Sequence, residues 1–148
     1  MIGDGNEEPD DEVGGSPVDF DRLSVITDRL STDDRFTRID VQPEFAPDRV
    51  IFVYDARFYP SSVQTAQLEI VWFENGDFSI HYHEDHDEGT FDHRWDRHPS
   101  DHNTRDHVHP GPEAPTAGKD TSHPQDWRDV LSLVLEEIEM RQKSFWSN

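Results

Sequence analysis

Eight of the nine histidines of this 148-residue chain fall between positions 81 and 109. The segment reads His81-Tyr-His83-Glu-Asp-His86, then Phe91-Asp-His93-Arg94-Trp-Asp96-Arg97-His98, then Asp101-His102, and ends in Asp106-His107-Val-His109. Imidazole titrates near neutrality, so a histidine pair, or a histidine beside a carboxylate, suits general acid and base work such as phosphodiester cleavage. Neutral imidazole is also a common metal ligand. A His-x-His pair on an extended segment turns both rings to one side, as His81/His83 and His107/His109 would. A single histidine on a polar stretch is ordinarily a solvated side chain. What sets this group apart is the interleaved Arg94, Arg97 and Arg105, whose guanidiniums can grip phosphate in a two-pronged fork.

The rest of the composition narrows the classes. The formal charge is −20, from 33 acidic and 13 basic residues, and such self-repulsion disfavours a compact state unless salt screens it. The carboxylates are spread along the chain rather than gathered in one tail, and only Lys119 and Lys143 accompany the arginines. Adaptation to high salt explains this pattern, since at about 1 M salt the Debye length is only ~3 Å. Nucleic acid is then bound only locally, near the arginines and histidines, because non-specific affinity requires neutralised phosphates. The absence of cysteine excludes disulfides, thiolate catalysis and cysteine-ligated zinc. No apolar run or basic leader suggests a membrane span or signal peptide, so a cytoplasmic protein with no membrane partner is expected.

The elements that must carry these residues can be read from patterning. Met1 to Pro17 hold six carboxylates, four glycines and no basic group, which predicts a disordered acidic tail over 1–17 before a single domain over 18–148. Asp19 is placed to cap a helix with Phe20, Leu23, Ile26 and Leu30 at helical spacing. Phe36, Ile39 and Val41 suggest a strand, and Val50 to Tyr54 a central one. Ala66, Leu68, Ile70 and Trp72 alternate, and Asn75-Gly76 predicts a tight type I′ hairpin into a strand with Phe78, Ile80 and Tyr82 on one face and Ser79, His81 and His83 on the other. Phe91, His93 and Trp95 suggest a further short strand. A proline-containing, histidine-rich loop is expected over about 97–122. A final helix follows, with Ser122 and Gln125 at capping-box spacing and Trp127, Val130, Leu131, Val134 and Ile138 as its apolar stripe. The expected fold is α+β: an antiparallel sheet of four to five strands packed by an N-terminal helix and a long C-terminal amphipathic helix. Trp72, Tyr82 and Trp95 could stack bases, but alternating strand aromatics are usually core.

The run Arg94-Trp-Asp96-Arg97-His98-Pro-Ser-Asp-His102, followed by Asp106-His107-Val-His109, resembles the TumE-like family, toxin components of prokaryotic toxin–antitoxin modules. That family shows an Arg-aromatic-Asp sequence, a proline–histidine stretch and a closing His-x-His. The layout agrees over roughly residues 36 to 140, although Arg97-His98-Pro99 stands where an Asn-Ala-Pro type sequence is common. The resemblance singles out Arg94, Asp96, His98, His102, His107 and His109, and implies a cognate antitoxin, often a winged-helix DNA-binding protein. Joined to the chemistry above, it predicts a toxin that cleaves RNA without a cofactor. His107 or His109 would serve as general base or acid with His102 as complement, Asp96 would orient an imidazole, and Arg94, Arg97 and His98 would bind the phosphate. The competing expectation is a non-enzymatic module in which His81, His83, His107 and His109 hold a divalent transition metal such as zinc, or dock a protein. A third is a regulatory partner whose histidine loop is merely solvated.

Overall fold

The computed structural model describes residues 16–43, 48–99 and 105–147. Among these residues the architecture is α+β, with two α-helices on one seven-stranded sheet. The elements are α1 (Phe20–Ser31), β1 (Phe36–Gln42), β2 (Arg49–Tyr54), β3 (Val63–Trp72), β4 (Phe78–His86), β5 (Gly89–Arg97), β6 (Asp106–His109), β7 (Lys119–Asp120) and α2 (Trp127–Ser144). The strands lie in chain order, each antiparallel to the last. Such a meander needs only local connections.

Alternation along the strands divides the sheet into two faces. One carries Phe52, Leu68, Ile70, Phe78, Ile80, Tyr82 and Trp95, all buried beneath Leu23, Ile26 and Leu30 of α1 and Val130, Leu131, Val134 and Ile138 of α2. Trp72, Tyr82 and Trp95 are thus core residues and do not offer rings for base stacking. The other face presents Ser79, His81 and His83 of β4, as the alternation requires, together with Asp92, Arg94 and Asp96 of β5 and His107 and His109 of β6 through the strand register. No helix among the described residues is long and apolar enough to cross a membrane.

Several local expectations are revised. The sheet has seven strands because the segment expected to be a loop contains β6 and β7. Four residues of β6 pair with Arg94–Arg97, which satisfies backbone groups that a buried loop would leave bare. The Asn75-Gly76 turn is not type I′, which needs positive φ at two residues. Only Gly76 has it (φ 93°). Phe73 N–H donates to Asp77 O at 2.9 Å and Gly76 N–H to Phe73 O at 2.9 Å, giving a three-residue loop in which glycine takes the left-handed position. Helix α2 is capped by Asp126, whose carboxylate accepts from Arg128 N–H, rather than by Ser122. Of the expected acidic tail, residues 1–15 lie outside the described residues, while Val18 already bridges to Phe73.

Asp19 does cap α1, accepting from Arg22 N–H at 2.9 Å. Asp19→Ala removes one partner of the first-turn amides and is expected to cost about 1 kcal/mol, read from a shift in the denaturation midpoint at unchanged slope.

Candidate functional site

The histidine segment folds into two clusters on one face of the sheet. Their separation follows from register: His81 of β4 lies opposite Arg94 of β5, which lies opposite His109 of β6. The two His-x-His pairs are therefore two strands apart, about 9.5 Å, with Arg94 between them. Their ligand atoms gather in separate groups, His81 and His83 with Asp92 and His107 with Asp96 and His98, so as folded the four-histidine set expected from sequence is divided between two clusters.

The outer cluster is half-exposed. His81 Nε2 and His83 Nδ1 both lie 2.7 Å from the same Asp92 Oδ1, and His83 Nε2 is 3.1 Å from Asp85 Oδ1. A carboxylate accepts only, so His83 donates from both nitrogens and is held as the imidazolium. Burial lowers the pKa of His83, but Asp92 and then Asp85 outweigh it and raise it above the ordinary histidine range. Burial likewise opposes the charge of Asp92, yet His83 and His81 hold its carboxyl below the usual range.

The inner cluster is closed off from solvent. Asp96, His98, His107 and His109 are each at most 3% exposed. Three imidazole nitrogens converge on Asp96 Oδ2: His109 Nε2 at 3.1 Å, His98 Nε2 at 3.5 Å and His107 Nε2 at 3.7 Å. Arg94 Nε donates to the same oxygen at 3.0 Å. The distal ring nitrogens are anchored to backbone: His98 Nδ1–H donates to Pro99 O at 2.9 Å and His109 Nδ1–H to Pro115 O at 2.5 Å. The chain folds over His109 closely. A Cβ on Gly118 (φ 59°) would lie 2.9 Å from the His109 ring, so a side chain is excluded there twice over.

Of the residues expected to bind or react, Asp96, His98, His107 and His109 meet in this one centre, and Arg94 is bonded to its carboxylate and lies opposite His81 in the register. His102 lies outside the described residues. Arg97 is directed to the other face, where it donates to Asp106 Oδ1 at 2.7 Å and to the carbonyls of His123 and Pro124 at 3.1 and 2.9 Å. Its fork is occupied in tying β5 to β6 and the approach to α2, and Arg105 pairs with Asp77 at 2.6 Å, so of the three arginines interleaved with the histidines Arg94 is the one beside the two clusters.

Sequence reasoning passed over three groups. His123, the ninth histidine, donates from Nε2 to the carbonyls of Asp96 and His107 at 3.0 and 3.1 Å, pinning the two strands where the inner cluster sits. Its distance in sequence from the other histidines concealed it. His93 shows the opposite effect: it belongs to the histidine run but points to the core side, against Trp95. Burial first, then His109 and Arg141, lower its pKa to about 4, so it is neutral at physiological pH. Glu84, on the core side of β4, is fully buried and gripped by Arg141 of α2, a pairing across 57 residues that no local pattern signals.

No curated protein and no solved structure matches this chain. Residues 23–142 match the family described as toxin TumE. That span takes in every strand and both clusters, and it makes a cognate antitoxin the partner the family implies. The chain belongs to the TumE toxin family.

Proposed function

We propose that this toxin cleaves RNA on the open face of its sheet, with His81 as general base, His83 as general acid and Arg94 as the cation that holds the phosphate. The observation that carries this reading is the pair of half-exposed imidazoles sharing one oxygen of Asp92, beside Arg94. The sequence alone favoured His107 and His109 for proton transfer, but both are fully buried. A reacting proton must be within hydrogen-bond reach of its acceptor, so the chemistry moves outward by two strands.

The roles follow from protonation. His81 donates from Nε2 to Asp92, which leaves Nδ1 with a lone pair for the ribose 2′-hydroxyl proton. The 2′-oxygen attacks phosphorus, and the 5′-oxygen leaves with the Nε2 proton of the His83 imidazolium, which exchanges its 3.1 Å bond to the exposed Asp85 carboxylate for the leaving oxygen while Nδ1–H stays on Asp92. Arg94 is anchored through Nε on Asp96, which presents the rest of its guanidinium to the charge developing on the phosphoryl oxygens. Side chains supply acid, base and cation, so the scheme is metal-independent. In this acidic chain the contact is short-ranged and suited to high salt. The cognate antitoxin is proposed to be a winged-helix DNA-binding protein that covers this face.

The test is cleavage of a short RNA by untagged protein in molar KCl without added divalent ions. Wild type should yield 2′,3′-cyclic phosphate ends, and His83→Ala should not. No cleavage by wild type, or equal cleavage by the variant, would reject the reading.

The pH profile provides a separate check. With its pKa raised by Asp85 and Asp92, the acid should lose activity only as pH climbs past the ordinary histidine value of about 6.5. Asp85→Asn removes part of that stabilisation and should move the alkaline limb to lower pH. An unchanged limb would remove His83 from the role of acid.

A further inference from the structure

We propose that Asp96, His98, His107 and His109 form a closed four-ligand site for a divalent transition ion of the zinc type, a structural centre that fastens β6 and the Pro110–Gly118 connection to β5. The inference is independent of RNA cleavage, and it uses a different ligand set from the one patterning suggested.

Four observations carry it. First, the spacing around the carboxylate fits, with Asp96, His98 and His107 as a mutually close trio and His109 joining it through Asp96 Oδ2. Tetrahedral zinc with ligands at about 2.0–2.1 Å places neighbouring ligand atoms ~3.3 Å apart. The three Nε2 atoms lie 3.1, 3.5 and 3.7 Å from Asp96 Oδ2, and Asp96, His98 and His107 each offer a ligand atom within 4.8 Å of the others.

Second, the ring orientations are those of ligands. A metal-binding imidazole ordinarily donates its other N–H to a carbonyl or carboxylate, which fixes the tautomer and aims the lone pair at the ion. His98 and His109 do this through Pro99 O and Pro115 O. The carboxylate has its own support in Arg94 Nε, as ligating carboxylates usually do.

Third, two buried atoms lack a hydrogen-bond partner: His109 Nε2 and Asp96 Oδ1. Although His109 Nε2 is 3.1 Å from Asp96 Oδ2, the two are not aligned as donor and acceptor. A buried polar atom left without a partner is costly, and an ion between ring and carboxylate would satisfy the nitrogen.

Fourth, the position suits a structural ion. Four protein ligands in a site at most 3% exposed leave no open coordination position for substrate. The ligands come from β5, from the residue just after it and from β6, so the ion would join segments that otherwise share four register pairs. Three imidazoles and one carboxylate suit zinc, and cobalt is its usual spectroscopic stand-in.

The experiment uses untagged full-length protein in molar KCl, stripped with chelator and titrated with Co²⁺ under visible absorption, followed by displacement with Zn²⁺. One Co²⁺ per chain with the intense bands of four-coordination, lost on adding Zn²⁺ and accompanied by a higher unfolding temperature, is the expected result. His107→Gln and His109→Gln should each abolish stoichiometric binding. The His81→Ala/His83→Ala double variant should retain it, and because those residues lie on the outer cluster it remains informative if an inner variant fails to fold. Absence of binding by wild type, weak six-coordinate bands, or loss of binding in the His81/His83 variant would overturn the proposal. RNA cleavage is not the readout, so a failed nuclease assay and a failed metal titration are told apart.

Discussion

Replacing His83 by alanine is expected to lower the rate of RNA cleavage by about 10²- to 10⁴-fold, the usual contribution of a positioned general acid. The fold should be almost untouched. His83 lies on the open face of β4, 26% exposed, and its partners Asp85 and Asp92 can return to water when it is removed. Surface substitutions away from packed features usually change stability by no more than about 0.5 kcal/mol. The paired measurement is single-turnover cleavage of a short RNA in molar KCl and the thermal transition of the same sample. A rate loss without a shift in transition places His83 in the chemistry. A rate loss that merely follows unfolding would not. Asp92→Asn should lower the rate too, since it removes the charge that orients both imidazoles, and it should do so by less because hydrogen bonding to one amide oxygen remains.

The largest loss of stability should come from Glu84. Its carboxylate is fully buried and accepts from Arg141 Nε and Nη2 at 2.7 Å each and from His86 Nε2 at 2.6 Å. Tyr82 also donates its hydroxyl to Glu84. Behind Tyr82 the chain of polar contacts continues, with Gln142 donating to Tyr59 and Tyr59 to Tyr82, each at 2.8 Å. The guanidinium of Arg141 lies over the Phe91 ring at 3.4 Å, so α2 is bound to β4 and β5 at one point by charge and packing together. Removing one partner of a buried ion pair typically costs about 3–5 kcal/mol, because the other is left desolvated. Glu84→Ala should therefore show a loss of that order in denaturant unfolding. Arg141→Ala should show a smaller one, since Arg141 is 27% exposed and its loss lets water reach the site.

The same group sets a pH dependence. Burial works to raise the Glu84 pKa, but Arg141, Tyr82 and His86 outweigh it and hold the carboxyl below its ordinary value. A depressed folded-state pKa contributes stability above the unfolded value of about 4.3 and loses it as pH falls below that. Wild type should accordingly lose stability on acidification below about pH 4.3, and Glu84→Ala should show a weaker dependence over the same window.

Local patterning reaches far into this fold. Helix α1 with its Asp19 cap, the central strands, the inward and outward sides of β4 and the apolar stripe of α2 all follow from side-chain periodicity, because 3.6- and 2-residue repeats are imposed by backbone geometry and recorded directly in the order of residues. The α+β class and the toxin family are legible on the same grounds and from the Arg94–His109 motif. Strand β6 is not, since four residues with Val108 as their one apolar member carry no period, and it forms only because β5 offers an edge to pair with.

The site divides along the same line. That histidines, arginines and aspartates would gather between 81 and 109 is a property of composition and spacing. Which of them meet is a property of strand register and of the chain that covers it: Arg94 is set between the two His-x-His pairs, Arg97 and His93 are sent to the core side, and His109 is closed beneath the Pro110–Gly118 connection. Sequence by itself determined the inventory of reactive groups and the elements that bear them. Tertiary structure alone decided their exposure and partners, because burial and charge pairing depend on contacts between strands that are distant in the chain.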